Sequence, residues 1–172
     1  MTSPTKKPTY DPTDLDYDDL AGSHFGNLLA ENSAVLTDFH TIRVLTEQCA
    51  RELWRNSFGD VKHKAAIPGD NWCSSCAWTT TGEWLEHYNS ARSNPVERQL
   101  RQLVDWRDEQ LVLFFRGPLD CVVSTWQAFV ENWLTFFEYD DDGPFIVPVD
   151  REEVLRICPN GTFMKGVPNP DG

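Results

Sequence analysis

Apolar positions follow helical spacing in the middle of the chain and fall into short runs toward its end. Cys49, Ala50, Leu53 and Trp54 share one face of a helix expected over 47–56. Thr46 stands where an N-cap accepts an orphan backbone N–H, Glu47 suits the positive end of the helix dipole, and Gly59 follows closely enough to end the helix. Thr80-x-x-Glu83 has the form of a capping box, so a second helix is expected from about Gly82, with Trp84, Leu85 and Tyr88 on its apolar face. Asn94-Pro95-Val96-Glu97 supplies an N-cap, a proline at the first helical position and a carboxylate two further on. Val96, Leu100, Leu103 and Val104 form the apolar face of that third helix.

The continuous apolar run at 111–116, ended by Gly117-Pro118, predicts a central strand. Val122, Val123, Trp126, Phe129, Val130 and Trp133 then recur at helical spacing, with Ser124, Gln127 and Glu131 opposite. This predicts a helix over about 120–133, with a strand as the alternative because Val and Trp also suit sheets. From 134 the pattern is a meander. Strands are expected at 134–139 and 144–149 around an Asp140-Asp141-Asp142-Gly143 turn, and at 154–157 and 162–165 around Pro159-Asn160-Gly161. Pro144 and Pro148 lack an N–H donor, which pushes their strand toward an edge or a bulge.

The remaining segments are less regular. Apolar residues at 23–45, including Val35, Leu36 and Phe39, fit no single period, and the segment reads as irregular with one short helical turn. Residues 59–80 read as a long loop anchored by Trp72 and Trp78, with a turn at Pro68-Gly69-Asp70. Residues 1–22 hold three prolines and a run of aspartates, too few apolar groups to offset ordering a backbone. They read as a disordered or loosely draped acidic arm before a single α+β domain at 23–168. The expected architecture is an antiparallel sheet of about five strands, mostly C-terminal, with three to four helices over one face.

Composition narrows the function classes. Seven Trp and ten Phe in 172 residues suggest a core of large flat rings that needs neither metal nor disulfide to fold. A formal net charge of −12, with no basic patch, argues against nucleic acid and anionic lipid as partners. It favours a basic protein partner, or simple solubility. No stretch approaches the roughly 18 apolar residues of a membrane span, and the N-terminus lacks the apolar core of a signal peptide. Five cysteines, an odd number, read as reduced thiols in the cytoplasm.

Candidate chemistry is sparse. Cys73-x-x-Cys76 could supply two zinc ligands, but the second pair is missing and His63 is the only histidine nearby. Idle buried thiols are the simpler reading. Trp126, Phe129 and Trp133 could line a ligand pocket, although rings at this spacing more often form core. Asp140-Asp141-Asp142 with Glu138 does not match a calcium loop and reads as a solvated turn. Glu83 and Glu86 read as a solvated helix face. No nucleophile elbow, glycine-rich phosphate loop or histidine pairing stands out, so no catalytic residue and no cofactor is assigned.

The stretch TWQAFVENWLTFFEYDDDGPFIV from Thr125, followed by REEVLRICPNGTFMKG, resembles a family of small uncharacterised bacterial proteins known only as a domain of unknown function. The resemblance rests on the Trp126/Phe129/Trp133 spacing, the Asp-Gly turn and the Asn-Gly hairpin ending in Lys165-Gly166, and the upstream TEQCARELW is also similar. It covers about 44–168 and implies a fold, not an activity. The expected function is a non-enzymatic protein-binding module with an acidic surface, an immunity or antitoxin role being one form of it. A small enzyme or ligand-binding domain, with an aromatic pocket between sheet and helices, is the alternative. A homodimer through an open sheet edge is compatible with either.

Overall fold

A computed structural model describes residues 4–32, 41–89, 93–140 and 142–169. In chain order these form β1 (Tyr17–Asp18), α1 (His24–Asn32), β2 (Ile42–Leu45), α2 (Glu47–Phe58), β3 (Ala77–Glu83), α3 (Leu85–Asn89), α4 (Ser93–Leu103), β4 (Leu111–Gly117), β5 (Asp120–Thr125), α5 (Trp126–Glu131), α6 (Trp133–Tyr139), β6 (Phe145–Pro148), β7 (Val154–Ile157) and β8 (Thr162–Val167). The strands make one sheet in the order β1-β2-β5-β4-β6-β7-β8-β3, and every neighbouring pair is antiparallel.

β4 lies near the middle of that order, and both its faces are buried. This is why it reads as an unbroken apolar run rather than an alternation. Val112 and Phe114 join Val122, Ile146, Leu155 and Ile157 against α1, α4, α5 and α6. Leu113 and Phe115 join Cys121, Val123, Phe145 and Val147 on the opposite face, where Ala50, Trp54 and Phe58 of α2 cover them. Phe58 packs at 5.2 Å from both Phe115 and Phe145, measured between ring centroids. The second core also takes in Trp72 from the loop after α2.

The α+β class and the antiparallel sheet agree with the sequence, but eight strands and six helices replace the expected five and three to four. Helices cover both faces rather than one. Five segments account for the difference. β1 lies in the stretch expected as an arm. The stretch read as irregular holds β2 and also α1, a helix of nine residues rather than a single turn. β3 runs through the expected capping box, because the β-branched Thr79-Thr80-Thr81 pairs with β8. Residues 120–125 form a strand whose side chains alternate between the two cores, and the helix begins only at Trp126, where Thr125 Oγ1 accepts from Ala128 N at 3.2 Å. Residues 133–139 are helical rather than extended, with Phe136 and Tyr139 packed against Phe25 of α1.

The expected local signals hold elsewhere. Thr46 Oγ1 accepts from Cys49 N, and Gly59 ends α2 by donating its N–H to Arg55 O at 2.9 Å. Gly161, at φ 89°, permits the tight connection between β7 and β8, where Cys158 N donates to Thr162 O at 2.9 Å. β6 lies inside the sheet, not at its edge. Its prolines are tolerated because Pro144 precedes the strand and Pro148 closes it, beyond the Phe145 and Ile146 that pair with β7.

Residues 4–18, expected as a disordered or loosely draped arm, run along the α2 face. Tyr10 and Leu15 are buried there, Tyr10 Oη lies 2.8 Å from Ser57 Oγ, and Trp72 N donates to Pro4 O at 2.9 Å. Two large apolar groups anchor this stretch although its composition is polar. Val35, Leu36, Phe39, Asp141 and the capping side chain of Asn94 lie outside the described residues. Among the described residues, no helix is long and apolar enough to cross a membrane.

Candidate functional site

The aromatic set expected at a ligand pocket sits in the centre of the first core. Trp126, Phe129 and Trp133 are each no more than 1% exposed. Trp126 stacks on Phe129 at 5.5 Å with a 13° interplanar angle, Phe129 meets Phe136 at 4.7 Å, and Trp133 meets Phe137 edge-on at 5.0 Å. Trp133 buries its indole N–H without a hydrogen-bond partner, a cost borne by packing. The three rings thus bind helices α5 and α6 to the sheet and present no face to solvent.

Cys73 and Cys76 lie in a turn beneath the second core and are both buried. Asn71 Oδ1 accepts from Cys73 N at 2.9 Å, and Cys76 Sγ donates to Trp72 O at 3.3 Å. Burial pushes the Cys76 thiol up to about 11 and the Cys73 thiol higher still, so both are protonated at neutral pH and poor nucleophiles. Among the described residues, no group of three or more His, Cys, Asp or Glu gathers where it could hold a metal ion.

Both sheet faces are filled, and β3 ends the sheet on one side. It pairs with β8 on one side, from Ala77 opposite Val167 to Thr81 opposite Phe163. It ends the strand order, so its other side has no strand partner among the described residues. Ala77, Thr79, Thr80, Gly82 and Glu83 are exposed, while Trp78 leans onto the second core and donates its indole N–H to Cys73 O at 3.1 Å. From Ala77 to Thr81 the edge carries no charge, proline or bulge, the features that usually blunt a free edge. The register shifts only after Thr81. The opposite edge, β1, is two residues long and includes Asp18, and so offers little template.

The end of β3 is chemically distinct. Gln99 Oε1 accepts from Glu83 N at 3.0 Å, and Trp84 N donates to Gly161 O at 2.8 Å, which fixes the exit into α3. There Glu83, Leu85 and Glu86 line a shallow depression of about 350 Å3. Leu85 is 40% exposed, and neither carboxylate is in an ion pair among the described residues. An uncharged strand edge therefore leads into one apolar side chain between two unspent acids. Sequence reasoning reached Glu83 and Glu86 but placed both on a helix. The threonine run was the one signal that could have revealed the edge.

The family described as protein of unknown function (DUF2947) matches residues 30–166. That span agrees with the family resemblance expected over about 44–168 and extends it upstream into α1. No curated protein and no solved structure matches the chain.

Proposed function

We infer that this chain, which belongs to the DUF2947 family, is a non-enzymatic protein-binding module that receives an extended, basic segment of a partner along β3. The free β3 edge carries the reading. A segment added there gains backbone hydrogen bonds, while its alternate side chains are selected by what flanks the edge. Glu83 and Glu86 favour lysine or arginine at one end of such a segment, and Leu85 favours an apolar neighbour. The chain's net charge of −12 steers basic proteins toward it and repels acidic ones. Neutralising a basic toxin would be one use of this chemistry.

The test has two steps. Partners are captured from the native host and identified, and the reconstituted complex is then mapped by amide hydrogen exchange. The reading predicts a basic partner that slows exchange in 77–83, and a Thr80→Lys variant that loses it. Thr80 is exposed, so this substitution opposes a basic strand without disturbing a core. Protection elsewhere on the chain, or full binding by the variant, would refute it.

A further inference from the structure

We propose that the cleft beside Arg156 is an oxyanion site that takes the phosphate or carboxylate group of a small ligand. The cleft lies at the central strands of the sheet, between the loop after α2, the β4–β5 turn, the end of α6 and β7, and encloses about 650 Å3. This is ample for a small metabolite. In a chain with 27 acidic and 15 basic residues, the cleft gathers Lys62, Lys64, Arg116 and Arg156.

The pairing inside it sets the charge that a ligand there would carry. Asp140 is committed to Lys64, whose ammonium also donates to Asp142 O at 3.2 Å. Asp120 is committed twice, to Arg116 at 3.0 Å and to the Tyr139 hydroxyl at 2.7 Å. The Arg116 guanidinium lies over the Tyr139 ring at 4.6 Å, so this wall is internally satisfied. Glu138, on the rim, accepts from Asn32 Nδ2. Among the cleft's charged groups, the exposed Lys62 and Asp142 and the half-buried Arg156 form no ion pair among the described residues. Of these, Arg156 also buries its Nε without a hydrogen-bond partner.

Arg156 is also held in place. Its guanidinium lies 5.4 Å from the centroid of the Phe145 ring, and Phe145 is its cross-strand partner. On another side Gly143, at φ 78°, packs so closely that an added Cβ would fall 3.0 Å from Arg156 Nη2. A fork of donors fixed between a ring and a glycine is pre-organised for a planar or tetrahedral oxyanion, which it can bind through two parallel hydrogen bonds. Lys64 lines the same cleft, where Asp140 already pairs its ammonium, so the charge of a bound anion is met chiefly by Arg156.

The test is a titration of the full chain followed by 15N NMR at constant ionic strength, with sodium chloride as the reference. Inorganic phosphate and citrate are titrated separately, which distinguishes phosphate from carboxylate ligands. The expected result is a saturable shift of the Gly117, Gly143 and Arg156 signals with at least one of the two. Arg156→Met, which keeps the stem and removes the donors, is expected to weaken binding about tenfold or more. Arg156→Lys is expected to recover part of the loss. Glu138→Gln is at an exposed site and should tighten binding roughly twofold by removing a rim charge. If Arg156→Met does not fold, the Glu138→Gln result decides. No saturable shift with either anion, equal affinity in Arg156→Met, or no gain in Glu138→Gln would overturn the proposal.

Discussion

Replacing Phe129 by alanine tests whether the aromatic set is core or pocket. Phe129 is fully buried and touches three other rings: Trp126 at 5.5 Å, Phe136 at 4.7 Å and Phe114 at 6.3 Å. Truncating a buried phenylalanine costs about 3–5 kcal/mol in transfer and cavity terms. The stacked and tilted contacts place Phe129 in the upper part of that range, at about 4 kcal/mol. With a urea m-value of about 2 kcal/mol per M for a domain of this size, the unfolding midpoint should fall by about 2 M. Urea unfolding followed by tryptophan fluorescence and by far-ultraviolet circular dichroism gives the midpoint and checks that the two probes coincide. A loss below about 1 kcal/mol with an unchanged m-value would refute the reasoning, because only a side chain already facing open space is removed so cheaply.

Thr46→Ala removes the cap of α2 and should cost about 1 kcal/mol in the same urea assay, with no change in m-value. Glu153 supplies an acid-side dependence. Burial pushes its carboxyl up, but hydrogen bonds from Lys165 and from Trp106 Nε1, together with the Lys165 charge, outweigh it and hold the group below its ordinary value of 4.5. Its stabilisation is therefore present at neutral pH and is lost as the pH falls below about 4.5 through the lowered folded value. Glu153→Gln should flatten the decline in stability below that pH, and an unchanged decline would contradict the pairing. Among the five thiols only Cys49 is partly exposed, so iodoacetamide at pH 8 should label Cys49 first and leave Cys73, Cys76, Cys121 and Cys158 slow. Fast labelling of Cys73, read by peptide mass, would contradict its burial.

Elements specified by neighbouring residues were legible in the sequence, and elements specified by distant pairing were not. Helix α2 is written locally, by Thr46, one apolar stripe and Gly59, and it forms within about two residues of its expected end. β4, β7 and β8 are likewise marked by apolar runs and the turn at Pro159-Asn160-Gly161. β5 escaped because Thr125 separates a strand from a helix without a gap, so the valines of one and the rings of the other merge into one helical pattern. At β3 the local signal was a real cap sequence, and pairing with β8 overrode it. The candidate surface was hidden for the same reason. Which strand ends outermost depends on the order of the whole sheet, and no local pattern near Thr80 encodes it. Beside Arg156, the Asp140 carboxylate is claimed by Lys64, 76 residues before it in the chain, a pairing that no local pattern encodes.

Backbone exposure along β3 is the premise on which the binding role rests, and amide-resolved hydrogen exchange on the free chain measures it directly. An open edge gives an alternating pattern over 77–81: amides bonded to β8 exchange slowly, and those pointing outward exchange fast, while the amides of β4 and β5 stay slow throughout. Uniformly slow exchange across 77–81, at the level of β4, would mean that the edge is already covered and would contradict the account.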